Sequence, residues 1–530
     1  MEGIKQLIRS TSPLTLLITG LSIVYAIGLF NHALIPSMEP RFAEVISEMM
    51  AAGEYLIPIK NGIPYVEYPP LLYWLAIIFV KLGLPVEAAI RLPCYISLIV
   101  WILYLSRLQT LLFRKWPAHI MPILGAALPA ILWHFFTAQT DPLLITGVLV
   151  SFVGFTALRL GQNCGHFPWS LWLGIALASA AKGPVGIACT LPAMMLEILL
   201  ASVFNRQAGT AGSAFMFDFL IQLKSLAWVR GLLLLLLTLI PWYLASAYYY
   251  GWDYIRAVFV YQNFGRYLSG FGGHEQPWWY HFQSVLVGLL PLSIFIPAGL
   301  WAVLKKLDKF PQRLVFSWAV YTFLFFSLSV SKQGKYILPA APAFLALGIF
   351  GLASLSKLPL EHSIKRFRVW AVALMLFWST AVVIFLPLYS GHIAHVDGFA
   401  VIKNSMARQP GNLVHFKWPR SLTLYELGAP MDYVKSSREL YQKIHSGAIN
   451  EGDYLLVGDA DLPGPDETDL TATGKLIPFP SAPWFEHVLT VNAKEKVQLF
   501  RVLPGASRLA VPNTPEFAPV NWRDAKFDTD

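Results

Sequence analysis

Charged residues are scarce in this chain of 530 residues. Lys, Arg, Asp and Glu together make up only 13% of it, which is about half of their share in soluble proteins. A soluble fold of this size is therefore excluded. Apolar residues account for 56%, and 18 Trp, 22 Tyr and 35 Phe accompany long aliphatic runs. This composition is typical of a polytopic membrane protein, whose aromatic rings lie at the headgroup regions.

Cysteine is also rare, with three residues in or beside apolar segments: Cys94, Cys164 and Cys189. Their odd number and wide spacing exclude a disulfide framework or a cysteine metal site, and we interpret them as packing residues. A net charge of +9 would suit nucleic acid if it lay on one face. Instead the Lys and Arg residues stand in short gaps between apolar runs, as in the cytoplasmic loops of membrane proteins. No nucleic-acid partner is expected.

The distribution of charge predicts the topology. Lys5 and Arg9 precede an apolar run over residues 13–35 that is too long for a cleavable signal and lacks a cleavage site. We therefore expect a retained anchor with a cytoplasmic N-terminus. Residues 36–68 then form a first outer loop, residues 69–82 are too short to span, and 251–277 form a second outer loop. The other predicted spans are 88–106, 118–136, 141–160, 168–181, 183–204, 226–250, 278–303, 314–331, 336–356 and 369–389.

With the anchor, these segments amount to about eleven crossings, or twelve to thirteen if 69–82 crosses or another segment splits. Residues 1–390 are thus predicted to be an all-α polytopic membrane domain. Residues 391–505 are predicted to form a small extracytoplasmic α/β domain with one helix between Ser436 and Gly447. The Pro-rich tail 506–530 is predicted to be disordered. The predicted strands are 412–416, 422–427, 453–458, 487–492 and 497–502.

The first outer loop begins with an amphipathic helix. Apolar residues recur at helical spacing from Phe42 to Met50, Pro40 suits the first helical position, and Gly53 suits the end. We expect this helix to lie on the membrane surface. Two acids are expected on its water-facing side, Glu44 and Glu48.

Acidic and basic residues converge on the outer face. Glu39 and Arg41 stand at the N-terminus of that helix, where backbone N–H groups and a guanidinium can hold a phosphate. Glu67 comes just before the chain re-enters the membrane, and Asp141 falls at the outer end of a predicted span. The alternative is that Glu39 only caps the helix and that Arg41 pairs with an acid of the same helix.

An ordered series of motifs extends over about residues 10–390. The motifs are Glu39-Pro-Arg-Phe-Ala-Glu44, Asn61-Gly-Ile-Pro-Tyr-Val-Glu67, Pro69-Pro-Leu-Leu-Tyr-Trp74, Ala181-Lys-Gly-Pro-Val185, Pro241-Trp-Tyr243, Asn263-Phe-Gly-Arg-Tyr267, His274-Glu-Gln-Pro-Trp-Trp-Tyr280 and Ser329-Val-Ser-Lys-Gln-Gly-Lys-Tyr-Ile-Leu-Pro339. This set resembles the bacterial branch of the dolichyl-phosphate-mannose protein mannosyltransferase superfamily, which includes the lipid A aminoarabinose transferases.

The resemblance implies a GT-C fold and an inverting glycosyltransferase of the bacterial inner membrane. The donor is expected to be a polyprenyl-phosphate-linked hexose or pentose. The acceptor is expected to be a lipid, glycan or protein of the envelope, on the periplasmic face where the C-terminal domain also lies. Physical chemistry agrees, because an anionic leaving group needs cations at headgroup depth and an acceptor hydroxyl needs a carboxylate base.

Three positions depart from the family pattern. The family commonly has an Asp, the presumed base, where this chain has Met38, and Tyr68 replaces a Lys of the aminoarabinose branch. Asn263 replaces a His that helps to hold a metal there, and Asn is the poorer ligand. No cofactor is therefore assigned, and a divalent metal between Glu67 and Asn263 stays an open alternative. Unless the chemistry differs, the candidate bases are Glu39 and Asp141.

Basic residues on the outer side are candidates for the lipid phosphate. Arg266 matches a family Arg expected near that phosphate, although it would also suit a lipid headgroup. Lys332 and Lys335 lie at the outer end of a span, where the positive-inside pattern disfavours them. The other substrate-binding candidates are Arg41, Glu67, Lys182 and His274.

Two other classes of protein stay open. A lipid or sugar transporter or flippase predicts paired charges at mid-membrane and two related halves, and the sequence shows no such duplication. Glu197, an acid inside an apolar segment, is the residue that a transport pathway would use, and we interpret it as a packed acid. Met38 would instead suit a catalytically inactive scaffold.

Overall fold

The computed structural model is mainly helical and divides into two compact units. One comprises Met1–Phe30 and Val66–Ile384, and the other comprises Asn31–Tyr65 and Phe385–Asp530. The structure describes residues 12–35, 39–65, 67–114, 117–162, 167–204, 212–269, 274–355, 396–416, 421–428, 431–434, 437–458, 485–491, 497–504 and 506, together with helical residues between 373 and 388. The predictions for Met38, Cys164 and the tail after residue 506 lie outside these residues.

The first unit is a helical bundle. Its α-helices are α1 Pro13–Phe30, α3 Leu71–Lys81, α4 Val86–Leu112, α5 Ile120–Ala126, α6 Pro129–Phe136, α7 Asp141–Arg159, α8 Trp169–Lys182, α9 Val185–Ala188, α10 Leu191–Phe204, α11 Gly212–Lys224, α12 Trp228–Arg256, α13 Arg266–Ser269, α14 Tyr280–Gly288, α15 Ile296–Leu304, α16 Phe310–Leu328 and α17 Ala341–Leu355. A π-helix, Ala257–Gly265, and two 3-10 helices, Leu292–Phe295 and Gly334–Ala340, complete it.

Six helical segments in the described part of the chain are long and apolar enough to cross a membrane, or seven if a pair bent by 117° is one span. That pair, Tyr280–Gly288 and Leu292–Leu304, corresponds to predicted span 278–303. Two other predicted spans are formed by shorter pieces: 118–136 is split into α5 and α6, and 168–181 corresponds to α8, which has only 14 residues. Residues 69–82, predicted to be too short, form the 11-residue α3.

Most of the predicted outer loop 251–277 is helical, because the helix continues as far as Ser269. The helix bends at Gly251, whose φ of 78° is open to glycine at little cost. A π-helix then follows, and it joins directly to α13. Polar and aromatic residues in this stretch resemble a loop in composition, and hydrophobic periodicity at 3.6 residues does not detect a π-helix.

Glycines bring α7 and α8 into very close contact. A Cβ added at Gly174 would lie 2.4 Å from the backbone nitrogen of Ser151, and one at Gly147 would lie 2.6 Å from that of Ala178. Small residues allow helix backbones to approach in this way. Because α7 begins at Asp141 and α8 ends at Lys182, this contact sets the separation of these two charged residues.

The second unit contains α2 and most of the strands. It is formed by α2 Pro40–Ala52, the hairpin β1 Ile59–Lys60 and β2 Ile63–Pro64, α18 Val396–Arg408, β3 Leu413–Phe416, α19 Ser421–Leu427, β4 Asp432–Val434, α20 Ser437–His445, β5 Tyr454–Gly458, β6 Phe485–Val491 and β7 Val497–Val502. The five-stranded sheet has the order β4-β3-β5-β7-β6, with β3 parallel to both neighbours and the β5–β7 and β7–β6 pairs antiparallel.

Apolar side chains cover both faces of that sheet. One core includes Leu440 and Ile444 of α20, and the other includes Phe399 and Ile402 of α18. The small sheet domain predicted from the sequence is confirmed, but residues 422–427 form α19 and not a strand. Leu424, which is 1% exposed, lies three residues before Leu427, and a run this short fits either period.

Candidate functional site

A cavity of about 310 Å³ lies among helix ends of the first unit. Its five charged lining residues all stand at or near the end of a helix: Glu67, Asp141, Lys182, Arg266 and Lys335. Most of the remaining wall is apolar or aromatic, with Leu144, Val185, Phe325 and Phe326 among its residues. An apolar wall with a few convergent charges is the usual composition of a small-molecule or lipid site.

Asp141 stands between two lysines. Lys182 Nζ lies 2.5 Å from its Oδ1, and Lys335 Nζ lies 3.3 Å from its Oδ2. The Asp141 side chain is only 4% exposed, so each lysine compensates a charge that is removed from water. As the first residue of α7 and the last of α8, Asp141 and Lys182 also complement the dipoles of their own helices.

Glu67 and Arg266 form the second charged group. Arg266 Nη2 lies 3.5 Å from Glu67 Oε1, and their side chains are 19% and 4% exposed respectively. Arg266 follows the π-helix directly, so the position of its side chain depends on that unusual turn. The cavity thus holds three cations and two carboxylates, an excess of one positive charge that an anionic ligand could balance.

Two sequence-predicted substrate residues of the first unit, Lys332 and His274, do not line the cavity. The ammonium group of Lys332 donates to the backbone carbonyls of Gln276, at 2.8 Å, and Ser329. Its backbone N–H donates to the carbonyl of His274, beside a bridge between Glu275 and Ser331. These contacts join the segment before α14 to the segment after α16. Lys332 therefore has a structural role in this part of the chain, in which His274 takes part through its backbone, and the phosphate role of Lys332 stays a prediction.

Glu39 and Arg41 belong to the second unit. Glu39 is fully buried at the N-terminus of α2, where its Oε2 accepts a hydrogen bond from the backbone N–H of Ile35 at 3.0 Å. Its backbone carbonyl accepts from the N–H groups of Phe42 and Ala43. The first turn of α2 therefore already has internal acceptors, which argues against the predicted open phosphate site there.

The predicted water-facing position of two α2 acids is wrong. Glu44 and Glu48 are only 1% and 7% exposed. Both carboxylate oxygens of Glu48 accept backbone N–H groups from the hairpin turn, at 2.6 Å from Asn61 and 2.8 Å from Gly62. Burial raises the pKa of Glu48 above its usual range, and these hydrogen bonds oppose that rise. Both faces of α2 are packed, and one of them carries acids. Its sequence therefore has the pattern of an amphipathic helix, although both faces are mostly buried.

The two described residues that the sequence suggested for a metal ion, Glu67 and Asn263, do not suffice to hold one. In the described ranges no group of three or more His, Cys, Asp or Glu side chains could hold a metal ion. Of the two residues considered for this role, Glu67 faces a guanidinium. The amide nitrogen of Asn263 donates within the π-helix to the carbonyl of Val258, at 2.8 Å. One carboxylate and one amide oxygen are too few ligands for a protein-held divalent ion.

Glu197 is a packed acid, as predicted. It has no solvent exposure, and its carboxylate receives Arg159 at 3.1 Å and Arg313 at 3.0 Å. The ion pairs join α7, α10 and α16 away from the cavity. A buried carboxylate with two guanidinium partners stabilises the bundle and leaves no vacant charge for a transport pathway.

Several cavity residues have no strong signal in the sequence. Gln262, Tyr336 and Ser331 line the cavity, and Gln139 supports it, since its Oε1 accepts from Lys335 Nζ at 3.5 Å. Gln139 lies two residues before Asp141, and Ser331 and Tyr336 lie inside the motif 329–339 beside Lys332 and Lys335, so proximity to predicted residues could have suggested all three. The contribution of Gln262 depends on the π-helix, which the sequence pattern does not indicate.

Solved membrane proteins share this fold. The crystal structure of ArnT from Cupriavidus metallidurans bound to undecaprenyl phosphate has a TM-score of 0.69 and 17% identity, over 92% of this chain and 97% of that one. Its apo state has a TM-score of 0.68 over the same shares. The chain therefore has the GT-C fold of polytopic glycosyltransferases, as the motifs predicted.

Sequence relatives belong to the same group of transferases as these solved structures. Undecaprenyl phosphate-alpha-4-amino-4-deoxy-L-arabinose arabinosyl transferase 2 of Proteus mirabilis is 25% identical over 336 residues, which are 62% of this chain and 58% of that protein. The corresponding transferase of Pseudomonas aeruginosa strain UCBPP-PA14 is 26% identical over 356 residues, or 66% and 61%. The matches thus span about three fifths of these relatives, and the chain matches no protein-family model. The resemblance to this group is confirmed.

Proposed function

We propose that this chain is a membrane glycosyltransferase that takes a sugar from a polyprenyl-phosphate donor. One observation carries the proposal: a cavity among helix ends combines an apolar wall with three cations and two carboxylates. A lipid-linked sugar phosphate has the matching parts, an apolar chain and a single negative charge. The names of the relatives support this donor class, and none of the proteins reported above is a transporter.

The reaction that suits this site is a single displacement with inversion. An acceptor hydroxyl attacks the anomeric carbon of the sugar as the bond from that carbon to the phosphate oxygen breaks. The polyprenyl phosphate departs with the bonding electrons, and Arg266, Lys182 and Lys335 stabilise its developing charge. A carboxylate takes the hydroxyl proton. The acceptor is an envelope lipid, glycan or protein, and the sugar a hexose or pentose.

Glu67 positions a cation in this mechanism, and Asp141 contacts two more cations while also being one of the two candidate bases. Glu67 holds Arg266, and Asp141 spaces the two lysines. The two candidate bases differ in their present partners, because Asp141 faces two ammonium groups and Glu39 accepts a backbone N–H. By analogy with its relatives, we place the protein in the bacterial inner membrane, with a cytoplasmic N-terminus and a periplasmic C-terminal domain.

The test is sugar transfer by the purified full chain in lipid nanodiscs. Radiolabelled polyprenyl-phosphate sugars are supplied with envelope extract, and the products are identified by mass spectrometry. We expect a sugar-modified acceptor and free undecaprenyl phosphate in equal amounts. The Glu39→Gln and Asp141→Asn variants separate the roles: the base variant lowers kcat with donor KM unchanged, whereas a positioning variant raises donor KM. Saturable release of free undecaprenyl phosphate without any sugar-modified acceptor would refute the proposed transferase activity.

A further inference from the structure

Gln262 is a buried polar residue without a partner beside the cavity. Its side chain lines the cavity and is 7% exposed. Neither its amide nitrogen nor its amide oxygen has a hydrogen-bond partner within the part of the chain that the structure describes. Native proteins seldom leave such groups unsatisfied, since a buried polar group without a partner has lost its hydrogen bonds to water and gained none in return. A ligand that both donates and accepts hydrogen bonds would satisfy this amide.

The backbone places Gln262 next to the expected phosphate. Gln262 and Arg266 are four residues apart on one helical stretch, and both line the same cavity. A π-helix has a wider turn than an α-helix, so residues four apart lie close to one face. The sugar of a lipid-linked donor is one bond from its phosphate. An amide beside the phosphate-binding arginine is therefore close enough to contact the hydroxyl groups of that sugar.

Ser331 repeats this pattern on another wall. It is 1% exposed and lines the cavity, and its hydroxyl likewise lacks a partner among the described residues. A sugar hydroxyl both donates and accepts hydrogen bonds, and so do the side-chain amide of Gln262 and the hydroxyl of Ser331. Rotation about side-chain torsions can turn both groups toward a ligand while their backbones stay fixed.

The charges of the cavity decide which kind of sugar fits. Its three cations exceed its two carboxylates by one, which a single phosphodiester balances. Glu67 already faces Arg266, and Asp141 faces two lysines. Among the described residues that line the cavity, both carboxylates thus already face cations. The ammonium group of an amino sugar would meet no unpaired carboxylate there, and an unpaired buried charge is costly. A neutral sugar makes no such demand.

Resting on the proposed function, we infer that the donor carries a neutral, polyhydroxylated sugar and that Gln262 is the residue that recognises its hydroxyl groups. The named relatives transfer an aminoarabinose, so this chain would differ from them in sugar specificity. This difference in specificity follows from the cavity of this chain. An amine of the sugar would need a charged partner, and the cavity offers the neutral amide of Gln262.

The experiment measures competition for binding of radiolabelled undecaprenyl phosphate to the full chain in nanodiscs. The competitors are the glucose, galactose and mannose conjugates of undecaprenyl phosphate and its 4-amino-4-deoxy-L-arabinose conjugate. We expect at least one neutral conjugate to bind about 10-fold or more tightly than undecaprenyl phosphate, and the amino conjugate to bind no tighter. The variant Gln262→Ala should lose that gain, a change of about 10- to 100-fold, with unchanged affinity for undecaprenyl phosphate itself.

Two controls sharpen the result. Gln276→Ala removes an exposed glutamine that does not line the cavity, and it should leave every affinity unchanged. Gln262→Glu supplies a carboxylate, and it should raise the affinity for the amino conjugate about 10-fold relative to the neutral one.

Tighter binding of the amino conjugate by the unmodified chain, or no gain from any neutral sugar, would overturn the inference while the donor class survives. Absence of saturable undecaprenyl phosphate binding would instead remove the proposed function, and the inference with it.

Discussion

At the scale of single residues, charge compensation explains where each acid and base lies. Asp141 and Glu197 are both buried in the first unit, and each has two cationic partners. Their surroundings differ, because the partners of Asp141 line a cavity and those of Glu197 lie in packed helices. The same arrangement of charges therefore serves ligand binding in one place and stability in the other.

Arg266 provides the first prediction. The variant Arg266→Ala should weaken the binding of undecaprenyl phosphate about 10- to 100-fold, because a charge-assisted hydrogen bond to phosphate contributes about 1.5–3 kcal/mol. Binding of the radiolabelled lipid to the purified chain measures the effect.

Arg256→Ala is the matched control for that variant. This arginine lies ten residues earlier, is 74% exposed and contacts Asp253 only at 3.8 Å. It should leave lipid affinity unchanged. Equal losses in both variants would mean that Arg266 contributes only general positive charge.

Glu197 provides the second prediction. Replacement by Gln leaves two largely buried guanidinium groups without a countercharge, at a cost of about 3 kcal/mol. The apparent Tm of Glu197→Gln should fall by several degrees in a thermal unfolding assay. Lipid affinity of the folded fraction should stay unchanged, since Glu197 does not line the cavity.

The exposed pair of Asp308 and Lys309 gives the control. Asp308→Asn should leave Tm unchanged, because water already solvates both groups. A normal Tm for Glu197→Gln would show that its ion pairs contribute little to the stability of the bundle.

At the scale of elements, glycine contacts bring the ends of α7 and α8 together. Close approach along these helices determines where Asp141 and Lys182 meet. The distance between two helices depends on side-chain volume at their interface. Neither charged residue could reach its present partner if bulkier residues separated the backbones by another ångström or two.

Gly174 provides the third prediction. In Gly174→Ala the new Cβ would lie 2.4 Å from a backbone nitrogen, so the helices must separate, at a cost of about 1–3 kcal/mol. Both the apparent Tm and the affinity for undecaprenyl phosphate should fall. Gly20→Ala is the control, since nothing lies within 4 Å of its added Cβ. If both variants had the same Tm and the same lipid affinity, the close contact at Gly174 would not be needed for the geometry of the site.

At the scale of the whole molecule, the first outer loop and the C-terminal domain fold as one unit. The turn of the β1–β2 hairpin is Asn61-Gly62, with φ values of 50° and 74°, and Glu48 binds both of its N–H groups. The side chain of Asn61 then accepts the backbone N–H of Met431 at 2.8 Å. Residues that are 370 positions apart in sequence are thereby held together.

Asn61 provides the fourth prediction. Asn61→Gly keeps the positive φ accessible and removes only the side chain. The Met431 amide should exchange its hydrogen about 5- to 10-fold faster, as loss of a hydrogen bond of about 1 kcal/mol predicts. Exchange followed by mass spectrometry measures it. The exposed Asn404, changed to Ala, should leave that peptide unaffected. Unchanged exchange in Asn61→Gly would mean that other contacts hold the two segments.

Sequence and structure contribute differently at each scale. Composition and motif order suffice for the membrane class, the GT-C fold and the C-terminal sheet, because these depend on hydrophobic content and on patterns read locally. Asp141, Lys182, Arg266 and Lys335 were also predicted from sequence as site residues, Arg266 because it matches a family arginine and the others because charges at the ends of apolar spans stand out. What the pattern could not supply was which of these residues meet, or that Lys332 binds backbone carbonyls instead.

By itself, then, the sequence determined that this chain lies in a membrane and which charged residues are unusual there. Only the tertiary structure decided that Asp141 bridges two lysines, that Glu48 is buried and that Gln262 stands beside the cavity. The physical reason is that burial and pairing depend on neighbours from distant segments. Glycine contacts, a π-helix and a hairpin turn bring those neighbours together, and none of them changes the hydrophobic pattern of the chain.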